Sequence, residues 1–145
     1  MPQPFAYRSA SADYEAYLND LLAISGLTTW NQCYTMTRAV FFVFRSHVVP
    51  QVAMDFAQGL PAVLRAIFIE DWDLSQSVTP FPDRDALTKE VHAIREAHNF
   101  STLNAIAEVA LALKHAMKAE DYRFMMEGLP PEARAYWCWK SGMGK

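Results

Sequence analysis

The sequence has little charge, little glycine and little cysteine, and each shortage removes a class of explanation. Only 20% of its 145 residues are charged, while 52% are hydrophobic and nineteen are aromatic (four Trp, six Tyr, nine Phe). So much apolar surface demands burial and excludes a disordered chain. A net charge of −3 leaves no basic footprint for nucleic acid. Five glycines give few places where backbone can cradle phosphate. No Gly-rich phosphate loop, nucleophile elbow or dinucleotide fingerprint occurs. The two cysteines, Cys33 and Cys138, stand far apart. They read as buried thiols of a cytoplasmic protein, with a Cys33–Cys138 bridge left open. The longest apolar run, Ala39 to Phe44, is far short of the ~20 residues of a membrane helix. The N-terminal stretch lacks the basic and apolar segments of a secretory signal. Neither membrane nor nucleic-acid partners are expected.

What the sequence does contain is helical periodicity. No stretch shows the period of two that a half-buried strand requires. Residues 1–10 read as an extended leader. A first helix is expected from about Ser11 to Ser25, closed by Gly26 in a left-handed cap. Thr29-Trp30-Asn31-Gln32 has the capping-box pattern and opens a helix to about His47 or Val48. Pro50 starts a short helix to Gln58 that Gly59 ends, and Pro61 starts another to about Asp71. Trp72 to Pro82 carries turn formers without periodicity and reads as a loop. Further helices are expected over 83–98, 102–117, 119–127 and 131–139.

Shifting the chain against itself by 69 residues aligns its halves: Gly59-Leu60-Pro61 falls on Gly128-Leu129-Pro130, and Arg65-Ala66 on Arg134-Ala135. The expected fold is therefore all-α, with two tandem four-helix repeats, 11–72 and 83–139, joined by the loop 73–82 and packed into one bundle domain. A unit of roughly 70 residues is marginal alone, so the repeats should pack through their apolar faces. In Gly-Leu-Pro, glycine is expected to supply a left-handed helix end, leucine a core anchor and proline a helix start.

Arg38-Ala39-Val40-Phe41-Phe42-Val43-Phe44-Arg45, followed by Gly59-Leu60-Pro61-Ala62-Val63-Leu64-Arg65 and by Glu70-Asp71-Trp72, resembles a bacterial family known only as a domain of unknown function, DUF2267. The resemblance spans about Tyr14 to Trp137 and includes the internal repeat. Ala66 stands where the family pattern commonly has glycine. The resemblance implies a helical bacterial protein and carries no activity, cofactor or catalytic residue with it.

The residues themselves show no catalytic motif. The histidines His47, His92, His98 and His115 form no metal-ligand spacing; His92 and Glu96 share a face but lack a third ligand. No metal or other cofactor is expected, and the chain is read as non-enzymatic. Glu70-Asp71-Trp72-Asp73 follows a helix C-terminus, where the helix dipole disfavours negative charge. This placement calls for a cation from another element. Arg45, Arg65, Glu70, Asp71, Trp72 and Arg134 are the candidate binding residues. Arg65 and Arg134 also have a structural reading, as arginines capping nearby carbonyls.

From Cys33 to Ile69 the only charges are Arg38, Arg45, Asp55 and Arg65. Phe42 points away from the stripe of Val40 and Phe44, so this helix is either central or offers Phe42 to a partner. Trp139 is a second candidate interface residue. The functional expectation is a protein-interaction or assembly module, as a homodimer or with a protein partner. The alternative is a binding protein for an anionic or lipophilic small ligand, held between the repeats near Arg65 and Trp72.

Overall fold

The structure, a computed structural model, describes residues 3–94 and 100–139. Among these residues it contains nine α-helices and no strand: α1 (Phe5–Arg8), α2 (Ala10–Ser25), α3 (Trp30–Ser46), α4 (Pro50–Gln58), α5 (Ala62–Phe68), α6 (Arg84–Ala93), α7 (Ala105–Ala116), α8 (Ala119–Glu127) and α9 (Pro131–Trp137).

Local signals account for several helix ends. Thr29 Oγ1 accepts from Gln32 N at 3.1 Å while Gln32 Oε1 accepts from Thr29 N at 3.2 Å, closing the capping box at the start of α3. Gly26 ends α2 in the left-handed conformation, at φ 78°. Asp83 caps α6, its carboxylate accepting from Ala86 N at 2.9 Å.

Five boundaries differ from the sequence reading. The leader contains a helical turn, α1, in which the Ser9 hydroxyl donates to Phe5 O and to Asp13. α5 stops at Phe68, because the chain turns through Ile69 and Glu70 into a left-handed Asp71 at φ 48°. α7 starts at Ala105 because Thr102 is engaged in the turn before it; its hydroxyl donates to Glu108 and its carbonyl faces His92 Nε2 at 2.9 Å. α9 ends at Trp137, with Cys138 as its C-cap. α6, expected to reach 98, ends at Ala93, where Ile94 turns to extended backbone as its C-cap; Glu96 and His98 lie outside the described residues.

The halves α2–α5 and α6–α9 are interleaved. α2 packs more extensively on α7 than on α3, and α6 more on α3 than on α7. Each half thus covers the apolar face of the other's long helix. α4 and α8 both have nine residues, α5 and α9 both have seven, and in each pair the bounds lie 69 residues apart.

α3 is central, touching α2, α5, α6 and α7. Phe41 and Phe44 of α3, Phe56 of α4 and Phe68 of α5 form an aromatic cluster with Tyr136 and Trp137 of α9. Trp137 stacks on Phe56 with centroids 5.2 Å apart and planes 15° from parallel. Each such ring contributes roughly 1.5–3 kcal/mol by leaving water. The Tyr136 hydroxyl donates to Val40 O at 2.6 Å inside the core, tying α9 to the middle of α3. Tyr17 and Thr37 share a buried hydrogen bond of 2.8 Å between α2 and α3. No helix among the described residues is long and apolar enough to cross a membrane.

Candidate functional site at the seam between the two halves

Five of the predicted residues come together on the outer side of α3. The left-handed turn at Asp71 folds the acidic segment back onto the helix. There Arg38 Nε donates to Glu70 Oε1 at 3.2 Å and Arg38 Nη2 to Asp71 Oδ2 at 2.9 Å. The Tyr34 hydroxyl also donates to Glu70, at 2.6 Å. The cation that the acidic turn requires is therefore Arg38, which the sequence reading did not single out. Its signal was present: Arg38, Phe42 and Arg45 lie four and three residues apart, on one helical stripe.

That stripe also resolves the position of Phe42. The Arg38 and Arg45 guanidinium carbons sit 4.1 and 3.7 Å from its ring centroid, and Arg45 lies 5.3 Å from the Trp72 ring. Phe42 is half-buried under two arginines, so it is not an open apolar surface. Arg45 Nη1 donates to Phe68 O at 2.6 Å, capping the end of α5. Burial, and next the charge of Arg38, pull the Arg45 guanidinium down to about 10, against the opposing pull of Asp71 and Glu70. It remains a cation at neutral pH. A cleft of about 220 Å³ beside it is lined by Phe42, Arg45, Trp72 and the loop 73–78. Asp71 and Asp73 border the same cleft, so it offers no surplus of positive charge.

Arg65 and Arg134 lie elsewhere, at the two Gly-Leu-Pro corners. Arg134 Nη2 donates to Leu129 O at 3.0 Å and Glu127 O at 3.4 Å, and its Nε to Met126 O at 3.1 Å. Arg65 makes the matching bond to Leu60 O at 3.3 Å, but its Nε is buried without a partner. Arg65 and Trp72 line different clefts, so they do not form the shared site expected between the halves.

The corner glycines require a correction. Gly59 (φ −82°) and Gly128 (φ −74°) both have right-handed backbone, so neither supplies a left-handed helix end. Gly59 answers to close approach instead: a Cβ there would meet Met125 Sδ at 2.9 Å. At Gly128 the nearest atom to such a Cβ is a carbonyl oxygen at 3.6 Å.

The contact of Gly59 with Met125 marks the seam where α4 meets α8, and a cavity opens on each side. One is a groove of about 620 Å³ between α4 and α8, lined by Val52, Asp55, Phe56, Phe124, Met125 and Leu129 among others. The second, of about 350 Å³, lies between α2, the Arg65 corner and the start of α8. Gln58, Gly59 and Asp121 border both. The groove residues Phe124, Met125 and Asp55 were missed. For Phe124 and Met125 the signal was the run Phe124-Met125-Met126, since three consecutive residues of a helix cannot all face inward. Phe124 is the one left out, 81% exposed.

Trp137 Nε1 is also buried without a partner, whereas the described histidines have structural ones. His47 is buried, with Nε2 2.8 Å from Glu90 and Nδ1 3.0 Å from Thr79 O. His115 pairs with Asp20 at 2.9 Å on the surface. Among the described residues no group of three His, Cys, Asp or Glu is placed to hold a metal ion. Cys33 and Cys138 are both free thiols, so the open bridge is not formed. Burial pushes the Cys33 thiol up to about 11. Trp139 is half-buried beneath Arg84, whose guanidinium lies 5.2 Å from its ring.

Fold and site together define an all-helical bundle in which most buried charge serves to cover aromatic surface and to cap helix ends. The chain belongs to the uncharacterised conserved protein family DUF2267, whose model matches residues 14–136. No curated protein matches it.

Proposed function

We propose that the protein is a non-enzymatic interaction module that seats a basic amphipathic helix of a partner protein in the groove between α4 and α8. The observation that carries this reading is Phe124, 81% exposed beside an apolar groove. An exposed aromatic next to a Met- and Phe-lined trough is the usual composition of a helix-binding surface. The groove's ionisable lining consists of Asp55 and Asp121. A partner with apolar anchors flanked by lysine or arginine complements both features. A second copy of this chain fits less well, since an isologous contact would bring the two acidic rims together.

Fluorescence anisotropy with a designed Leu/Lys amphipathic helix tests the reading, with a Leu/Glu helix of the same pattern as control. Saturable binding of the Leu/Lys peptide, lost in Phe124→Asp and weakened in Asp55→Asn, is expected. Equal binding by the Phe124→Asp variant, or no binding, contradicts it. Light scattering that shows a dimer broken by Phe124→Asp replaces the partner by a second copy.

A further inference from the structure

The two corner arginines occupy the same place in their helices, yet they are used differently. Met126 O, which accepts from Arg134 Nε, has its counterpart in Ala57 O. Both carbonyls also accept the backbone N–H of the following leucine, at 3.1 Å in each corner. The turns are thus built alike, but only Arg134 brings its Nε onto this carbonyl. Arg65 makes one bond of 3.3 Å and leaves Nε buried without an acceptor. An unsatisfied buried donor is costly and rare in a folded chain.

Arg65 also lines the cleft of about 350 Å³ between the halves, a volume within the range of small-molecule sites. Arg134 lines no such cavity among those described above. The cleft wall is mixed: Tyr14, Leu64 and Met117 supply apolar surface on one part of it, and Lys118 supplies a second cation. Asp13 and Asp121 stand in the same lining. The two cations are thus matched by two carboxylates, which leaves no excess positive charge for a polyanion. Asp13 is itself engaged by the Ser9 hydroxyl at 2.8 Å.

We infer that this cleft binds a small monocarboxylate with an apolar body, its carboxylate seated on Arg65 and its body against Tyr14, Leu64 and Met117. The carboxylate pairs with the part of the guanidinium that reaches the cleft, and a small turn of the side chain, held by one long bond only, brings the buried Nε–H into the planar pairing that a guanidinium favours. The inference is independent of the α4–α8 groove, because Phe124 does not line this cleft.

The test is an NMR titration of the full chain with phenylacetate, using phenylacetamide as the uncharged control and phenyl phosphate as the dianion. Phenylacetate should produce saturable shifts at Val63 to Ala66 and Ala116 to Lys118, with the amide at least about tenfold weaker. Arg65→Met should abolish the shifts, Arg65→Lys should retain part of the affinity, and Arg134→Met should bind within about twofold of the parent chain. Tighter binding of phenyl phosphate than of phenylacetate overturns the assignment of a monocarboxylate. Equal binding of acid and amide, unchanged binding by a folded Arg65→Met variant, or no saturable shift overturns the site.

Discussion

Arg65 and Arg134 end the same kind of turn, begin from the same Gly-Leu-Pro segment, and sit at corners where α4 and α8 approach each other. One guanidinium closes its corner with three bonds to carbonyls. The other makes a single long bond and borders a cavity. The difference shows that the same local chemistry serves stability in the C-terminal half and remains available for binding in the N-terminal half. Similar inequality runs through the seam: Phe56 and Met125, at corresponding positions of α4 and α8, both line the groove, but only Phe56 also belongs to the aromatic cluster.

The largest effect that breaks this comparison lies in the core. Phe56→Ala should cost about 3–5 kcal/mol, since it removes a ring stacked on Trp137 and packed against Phe44 and Phe68. Met125→Ala should cost about 2 kcal/mol, the low end for a buried side chain, because the groove beside it is already open. Urea denaturation of both variants checks the order, and equal losses would contradict it.

Next come the arginines. Arg134→Met should destabilise by about 1 kcal/mol, because three backbone carbonyls lose their donor at a corner that water can reach. Arg65→Met should change stability by less than about 0.5 kcal/mol, or raise it, by removing an unsatisfied buried N–H. Matching losses in chemical denaturation would show that the corners are equivalent after all.

The glycines give a smaller contrast. Gly128→Ala should stabilise by about 0.4–1 kcal/mol, because the backbone is right-handed and the added Cβ meets nothing closer than 3.6 Å. Gly59→Ala should yield no gain, since the new methyl must displace Met125 Sδ from 2.9 Å. Thermal melting distinguishes the two.

The smallest contrast is between the thiols. Cys138, partly exposed, should react with a thiol reagent in the folded chain, while buried Cys33 should react only on unfolding. Burial raises the Cys33 thiol from 9.0 to about 11 in the folded chain. Its contribution to stability is complete below pH 9 and is lost as the pH rises to about 11, because the unfolded chain releases that proton first. Burial acts alike on Tyr14 and Tyr122, both held up at about 12, which extends the loss upward from pH 10. A urea midpoint that stays level from pH 8 to pH 11 would contradict this assignment.

The parts of the fold that depend on neighbouring residues were legible in the sequence. Thr29 with Gln32, Gly26 and Pro50 place helix ends through bonds that span a few residues. The apolar crowding of α3 pointed either to a central helix or to a partner surface at Phe42, and the acidic turn after α5 announced a cation from another element. What was not legible depends on how the halves meet. Nothing local to α2 states that it packs chiefly on α7. Gly59 looked like a left-handed cap because its requirement for no side chain comes from Met125, 66 residues away in sequence. The seam cavities arise from this same approach of α4 and α8, so Arg65 and Phe124 acquire their places only once the halves are interleaved.

The inequality of the corners is most directly read from the side-chain Nε–H resonances of the two arginines by NMR, assigned through Arg65→Lys and Arg134→Lys. Arg134 should show a hydrogen-bonded Nε–H coupled to the Met126 carbonyl and insensitive to phenylacetate. Arg65 should show no such coupling in the free chain and should shift on titration. Two Nε–H groups equally bonded to the backbone, with neither responding to the carboxylate, would contradict the account.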